Sequence, residues 1–210
     1  ADCPDLDAAV ESAIGSIYFN QGESCNAPSR LFVEASIKEA FLEKAMALVP
    51  RHAPGDPLDE ATVMGAIVDP IQMKTVLGYI EDGKREGARL LAGGNAARQD
   101  SGGLYIEPTL FDGVDAGMRI AREEIFGPVL SVLSFTHLDE AVRQANATPY
   151  GLAAAVWTAD MSKAIRTSRA LRAGTVHVNQ YDNDDITVPF GGYKQSGNGR
   201  DKSLHALDKY

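Results

Sequence analysis

Apolar residues at Leu6, Val10, Ala13, Ile14 and Ile17 recur every three or four positions and predict an amphipathic helix. Asp2 or Asp5 can cap it, Pro4 is tolerated in its first turn, and the pattern runs out near Asn20-Gln21-Gly22. Residues 30–34 read as a short strand. Ser36 then caps a second helix, with Glu39 at capping-box spacing, core positions Ile37, Phe41, Leu42, Ala45 and Leu48, and Pro50 at its end. Residues 51–64 are rich in Pro, Gly and Asp and read as loop, residues 70–87 as helix, and residues 89–92 as a strand. Residues 93–103 are the most linker-like stretch of the chain. Three apolar, partly β-branched runs follow at 129–135, 152–158 and 175–179, separated by helical patterns at 138–146 and 161–172. Strand, helix, strand, helix, strand is the punctuation of βαβ units, so the fold class is α/β: a mainly parallel, twisted sheet with right-handed crossovers and helices on both faces.

Composition narrows the function. The chain has 210 residues, ordinarily globular at 44% apolar and 23% charged, with 20 basic against 29 acidic side chains, net −9. Nucleic acid and anionic membranes are poor partners for such a charge. No apolar run is long enough to span a bilayer and the N-terminus has no leader pattern, so a cytoplasmic location is expected. Cys3 and Cys25 are too few for a disulfide scaffold. No Cys/His spacing suits a metal, so none is expected to be required.

Three segments carry candidate chemistry. Cys25 lies in Phe19-Asn-Gln-Gly-Glu-Ser-Cys25, just past a helix end. Such a loop is open to substrate and to backbone N–H groups, the two conditions a thiolate nucleophile needs, although a buried packing thiol is the other reading. Glu123-Glu-Ile-Phe-Gly-Pro128 sets a carboxylate and an aromatic just before a strand, suited to a ribose and a flat ring, or else is a solvated acidic turn. Residues 189–200, Pro-Phe-Gly-Gly-Tyr-Lys-Gln-Ser-Gly-Asn-Gly-Arg, lack the P-loop pattern and read as a rigid loop with close backbone approach. Just before them, Tyr181-Asp-Asn-Asp-Asp185 follows a strand end, where α/β sheets place ligands. His52, His137, His177 and His205 sit in unrelated contexts and read as surface or core residues.

In this order and spacing, the three segments resemble the aldehyde dehydrogenase superfamily over essentially all 210 residues. The resemblance implies that 1–210 is the cysteine-bearing catalytic domain. The NAD(P)-binding domain, the general-base Glu, the oxyanion Asn and the C-terminal strand that pairs subunits have no counterpart. The expected activity is oxidation of an aldehyde to an acid, with Cys25 as nucleophile. Glu124, Phe126 and, by a softer match, Gln72 would bind the cofactor, NAD or NADP. Phe190 would line the aldehyde tunnel and Tyr181, Asp182, Asp184 and Glu23 its mouth. Carboxylates there attract cationic or amide-bearing tails. Residues 189–207 are closer still to bacterial dehydrogenases of polyamine catabolism, which act on γ-glutamyl-γ-aminobutyraldehyde, 4-guanidinobutyraldehyde and other ω-amino aldehydes. The whole enzyme is expected to be a homodimer or homotetramer, and this chain alone is expected to lack dehydrogenase turnover. The rival classes are a binding or assembly module, which requires an unreactive Cys25, and a cysteine-dependent hydrolase, which requires a histidine within hydrogen-bond reach.

Overall fold

The computed structural model describes residues 2–183 and 185–209. They divide into two compact units, residues 13–136 and residues 1–12 with 137–210, and the division falls within the first helix. That helix, α1 (Leu6–Tyr18), is capped by Asp5, whose Oδ1 accepts the Ala8 N–H at 2.9 Å. Of the two possible caps, Asp2 goes elsewhere: its carboxylate accepts from Thr158 Oγ1 and Lys163 Nζ, each at 2.7 Å.

The unit of residues 13–136 is built on one sheet. Its strands are β1 (Arg30–Glu34), β2 (Arg89–Ala92), β5 (Thr109–Asp112) and β6 (Val129–Phe135), in the order β1-β6-β5-β2. β6 runs parallel to both β1 and β5, and β2 closes the edge antiparallel to β5. A second pair, β3 (Ala96–Ala97) with β4 (Tyr105–Ile106), is antiparallel. The stretch read as a linker, residues 93–103, therefore supplies β3 and the turn of a small hairpin.

Two helices dominate this unit. In α2 (Lys38–Leu48) the expected Ser36 cap does not form: the N-cap is Ile37, and Ser36 Oγ donates to the Glu34 carboxylate at 3.0 Å instead. α3 (Pro70–Glu86) starts as its sequence dictates, with the Asp69 carboxylate accepting the Gln72 N–H at 2.8 Å and Pro70 where no N–H is needed. It stops at Gly87, whose φ of 98° suits glycine. Val76, Tyr79 and Ile80 of α3 join Phe111, Ile120, Ile125, Val129 and Leu133 in one core. The four-residue α4 (Arg119–Arg122) adds Ile120, fully buried.

The other unit holds α5 (Leu138–Asn146), β7 (Ala153–Val156), α6 (Met161–Ala170) and β8 (Thr175–Val178). β7 and β8 pair in parallel as a two-stranded sheet. The continuous sheet expected from the 129–179 pattern is thus divided: β6 pairs with β1 and β5, whereas β7 and β8 pair with each other. Pairing with β1, about a hundred residues upstream, is tertiary information that local periodicity does not carry.

One ion cluster makes the sheet edge sensitive to acid. Asp112 is 2% exposed, with Arg89 Nη2 at 2.6 Å and Lys38 Nζ at 3.2 Å. Burial alone would raise its pKa, but hydrogen bonds from Arg89, Gly113 N–H and Lys38 hold it below the ordinary 3.8. Because the folded pKa is depressed, this stabilisation is complete above the unfolded value and is lost as pH falls through the lower folded value. Asp112→Asn is therefore expected to cost about 1.5–3 kcal/mol in denaturant titrations at pH 7. The difference from the parent should shrink as pH falls below about 3.8. An equal difference at both ends would show the charge to be idle.

Candidate active site

The site is built where three loops of the 13–136 unit lock together: the turn after α1, residues 123–128 and residues 65–68. The first follows α1. Asn20 (φ 48°), Gln21 (φ 56°) and Gly22 (φ 72°) are consecutive left-handed residues, each costing a non-glycine side chain about 1–2 kcal/mol. Polar contacts hold this turn. Asn20 accepts the Glu23 N–H at 2.9 Å and its Nδ2 donates to the Glu23 carbonyl at 3.0 Å. Gln21 Oε1 accepts the Gly65 N–H at 3.1 Å, and the Glu23 carboxylate accepts the Val68 N–H at 3.2 Å to each oxygen.

Immediately downstream, the Ala27 N–H closes a turn onto the Ser24 carbonyl at 3.0 Å, with Cys25 second in that turn and exposed. The Cys25 backbone N–H has no acceptor among the described residues. Ser29 then accepts the Ser131 N–H at 2.9 Å, leading the chain into β1 beside β6.

The second loop, residues 123–128, is seated against the first. A Cβ on Gly22 would be built into the Gly127 carbonyl, so glycine is required there by contact as well as by its φ. Within the loop, Ile125 is 1% exposed, whereas Glu124 and Phe126 on either side face solvent. Glu123 ties the start of the loop to α3: its Oε2 accepts the Tyr79 hydroxyl at 2.8 Å and Arg119 Nε at 2.9 Å. Those two donors, Tyr79 first, hold its carboxyl below the usual range. Arg119 also reaches Asp82 at 2.6 Å and lies 4.1 Å from the Tyr79 ring centroid. At the loop's other end, Gln72 Nε2 donates to the Ile125 and Phe126 carbonyls at 3.1 and 2.7 Å.

In the second unit, the segment after β8 carries the remaining sequence candidates. Tyr181 packs its ring 5.4 Å from that of His177, and Asp182 is exposed with a left-handed φ of 57°. Asp184 lies outside the described residues. Asp185 is exposed and engaged by its own loop, its Oδ1 accepting the Thr187 N–H and hydroxyl at 2.8 Å each. Phe190 pairs with Asp201 as an antiparallel bridge, and Lys202 Nζ lies 5.3 Å from its ring centroid. The 189–200 loop is held by backbone contact, as its composition suggested: Tyr193 N–H donates to Gly151 at 2.9 Å, and a Cβ on Gly174 would be built into the Gly191 carbonyl.

A match to the aldehyde dehydrogenase family spans residues 1–210. The chain belongs to the aldehyde dehydrogenase family. It is 50% identical over all 210 residues to the NADP/NAD-dependent aldehyde dehydrogenase PuuC of Escherichia coli, covering 42% of that protein. Two solved structures are similar over the whole chain, each with 42% of its length covered. One is the γ-glutamyl-γ-aminobutyraldehyde dehydrogenase of Burkholderia cenocepacia, with 60% identity and a TM-score of 0.97. The other is a mutant of the P. syringae indole-3-acetaldehyde dehydrogenase AldA in complex with NAD+ and IAA, with 63% identity and a TM-score of 0.99. The chain thus spans about two fifths of the length of the aldehyde dehydrogenases it matches.

Against this background, the sequence candidates separate. Cys25, Glu23, Gln72, Glu124 and Phe126 belong to the interlocked loops of one unit, and Tyr181, Asp182 and Phe190 to the post-β8 segment of the other. Glu23, expected at the substrate mouth, spends its carboxylate on the Val68 N–H. Gln72, expected on the cofactor, spends its side-chain N–H groups on loop carbonyls. Sequence reading missed the Tyr79–Arg119–Glu123 contacts and the left-handed turn at 20–22. The Asn-Gln-Gly spelling was a signal for the turn, since Asn and Gly tolerate positive φ. His52, the histidine of the 13–136 unit, faces the Leu48 carbonyl at 3.4 Å and packs its ring at a tilt against that of Tyr18, centroids 5.4 Å apart. Burial lowers its pKa. No group of three His, Cys, Asp or Glu suited to a metal occurs among the described residues, nor any helix long and apolar enough to cross a membrane.

Proposed function

We propose that this chain is the nucleophile-bearing catalytic part of an NAD(P)-dependent aldehyde dehydrogenase. The carrying observation is an exposed thiol in a locked turn, next to a backbone N–H without an acceptor among the described residues. The Cys25 thiolate attacks the aldehyde carbon. A C–S bond forms, the carbonyl π pair moves to oxygen, and the Cys25 N–H stabilises the resulting alkoxide. Glu124 and Phe126 fit a nicotinamide nucleotide: the exposed carboxylate can accept both ribose hydroxyls, and the exposed ring beside it can pack on a flat face. When bound, NAD(P) supplies the acceptor for the hydride that leaves the thiohemiacetal carbon. Hydrolysis of the thioester that follows needs a base that the family resemblance places outside these 210 residues. The isolated chain is therefore proposed to lack dehydrogenase turnover, and the whole enzyme to be a homodimer or homotetramer.

For the substrate we propose an ω-amino, guanidino or γ-glutamylamino aldehyde, with Tyr181, Asp182 and Phe190 of the second unit as its proposed contacts. Exposed Asp182 and the γ-glutamyl-γ-aminobutyraldehyde relative support this reading. A second reading, an aromatic aldehyde, is favoured by the indole-3-acetaldehyde relative and by the cation already beside Phe190. Competition assays with the full-length enzyme separate the two. The first reading predicts a kcat/KM at least about tenfold higher for 4-guanidinobutyraldehyde than for indole-3-acetaldehyde, from one charge-assisted contact. The reverse order would establish the second.

A further inference from the structure

The 123–128 loop contains a bulky residue in an unfavourable conformation. Phe126 has φ 57°, a genuine outlier for an aromatic side chain. Such strain persists only where surrounding contacts over-determine it. Gly127 is closely packed on both sides: a Cβ there would be built into Val76 of α3, and Gly22 abuts its carbonyl. The directional contacts at Phe126 come from Gln72, which donates to two successive carbonyls, that of the strained residue at 2.7 Å. Gln72 is itself well placed for this, since the Asp69 cap fixes its backbone in the first turn of α3.

We propose that Gln72 is a positioning residue: its carboxamide holds Phe126 in the left-handed region and thereby sets where Glu124 and Phe126 meet the dinucleotide. It acts on the cofactor through this loop. The inference rests on the cofactor role proposed above for Glu124 and Phe126. Both amide hydrogens of Gln72 are engaged by the loop, and buried Ile125 between the two exposed residues converts any slackening into displacement of both. Glu123, tied to Tyr79 and Arg119, fixes the far end, so the Gln72 end is where a single side chain governs the geometry.

The test uses Gln72→Met in the full-length enzyme, which keeps length and helix propensity but removes both donors, beside Glu124→Gln. The expected result for Gln72→Met is a KM for NAD raised roughly tenfold, an unchanged KM for aldehyde, and exchange of the 125–127 amides roughly tenfold faster without cofactor. Amides of α3 from Val76 to Gly83 should be unchanged. A raised KM with unchanged loop exchange would mean direct cofactor contact and would overturn the proposal. Faster exchange throughout α3 would mean general destabilisation and would overturn it too, as would no change in KM. Glu124→Gln tests the underlying reading: if it leaves the KM for NAD unaltered, the cofactor role of the loop fails, whatever Gln72→Met does.

Discussion

Cys25→Ala in the full-length enzyme is expected to abolish NAD-dependent aldehyde oxidation, lowering kcat by a factor on the order of 10⁴ or more. The size follows from the role. Under the mechanism proposed for Cys25, no covalent adduct forms without the thiolate, and hydride departure is not set up. The substitution should leave folding nearly untouched, because the side chain is exposed in a turn closed by the Ser24 carbonyl and the Ala27 N–H. Stopped-flow or steady-state NADH absorbance reads the activity, and a thermal melt reads the fold. Near-parent NADH formation by a well-folded Cys25→Ala protein would remove the nucleophile from the mechanism.

The second large effect is structural. Gly22 combines φ 72° with a direct approach to the Gly127 carbonyl. Gly22→Ala is expected to cost about 2–4 kcal/mol, the sum of left-handed strain and a backbone clash. For a protein of this size that is a Tm lower by roughly 5–15 °C. The comparison that isolates the clash is Gly102→Ala: φ is 73° there too, but nothing lies within 4 Å of the added methyl. That variant should lose only about 1–2 kcal/mol. Because the displaced atoms join the Cys25 turn to the loop of Glu124, Gly22→Ala should also depress turnover, while Gly102→Ala should not. Equal stability losses at the two glycines would show that the loops are not in tight contact.

These two positions also show what was legible in the sequence. Helix α5 has the bounds its apolar spacing indicated, because that signal is local. α3 was equally plain, with Asp69 and Pro70 opening it and Gly87 closing it. By contrast, β5 is four residues, all buried, with no alternation to mark it, and it is defined by pairing with β6 on one side and β2 on the other. The capping-box reading at Ser36 failed for a similar reason: the hydroxyl had a competing partner in Glu34, the last residue of a strand set by tertiary pairing.

At the site, the identity of the segments was readable but their division of labour was not. The loop position of Cys25 followed from its place after α1, and its exposure agrees with that. That Glu23 would be drawn to the Val68 N–H, and Gln72 to two carbonyls more than fifty residues away, depends on how the three loops close on one another. Residue types limited what those side chains could do, and geometry selected among the options.

Site-resolved alkylation of the 210-residue chain tests the central claim most directly, since it needs neither NAD nor any other domain. Cys3 is the internal standard: its Sγ donates to the Asp5 carbonyl at 3.4 Å, and burial pushes its thiol pKa up, lowering its thiolate fraction. Iodoacetamide near neutral pH, read by mass spectrometry, is expected to label exposed Cys25 at least several-fold faster than Cys3, with 4-guanidinobutyraldehyde protecting Cys25 alone. Preferential labelling of Cys3, or labelling of Cys25 that no aldehyde slows, would contradict a thiol built to meet an aldehyde carbonyl.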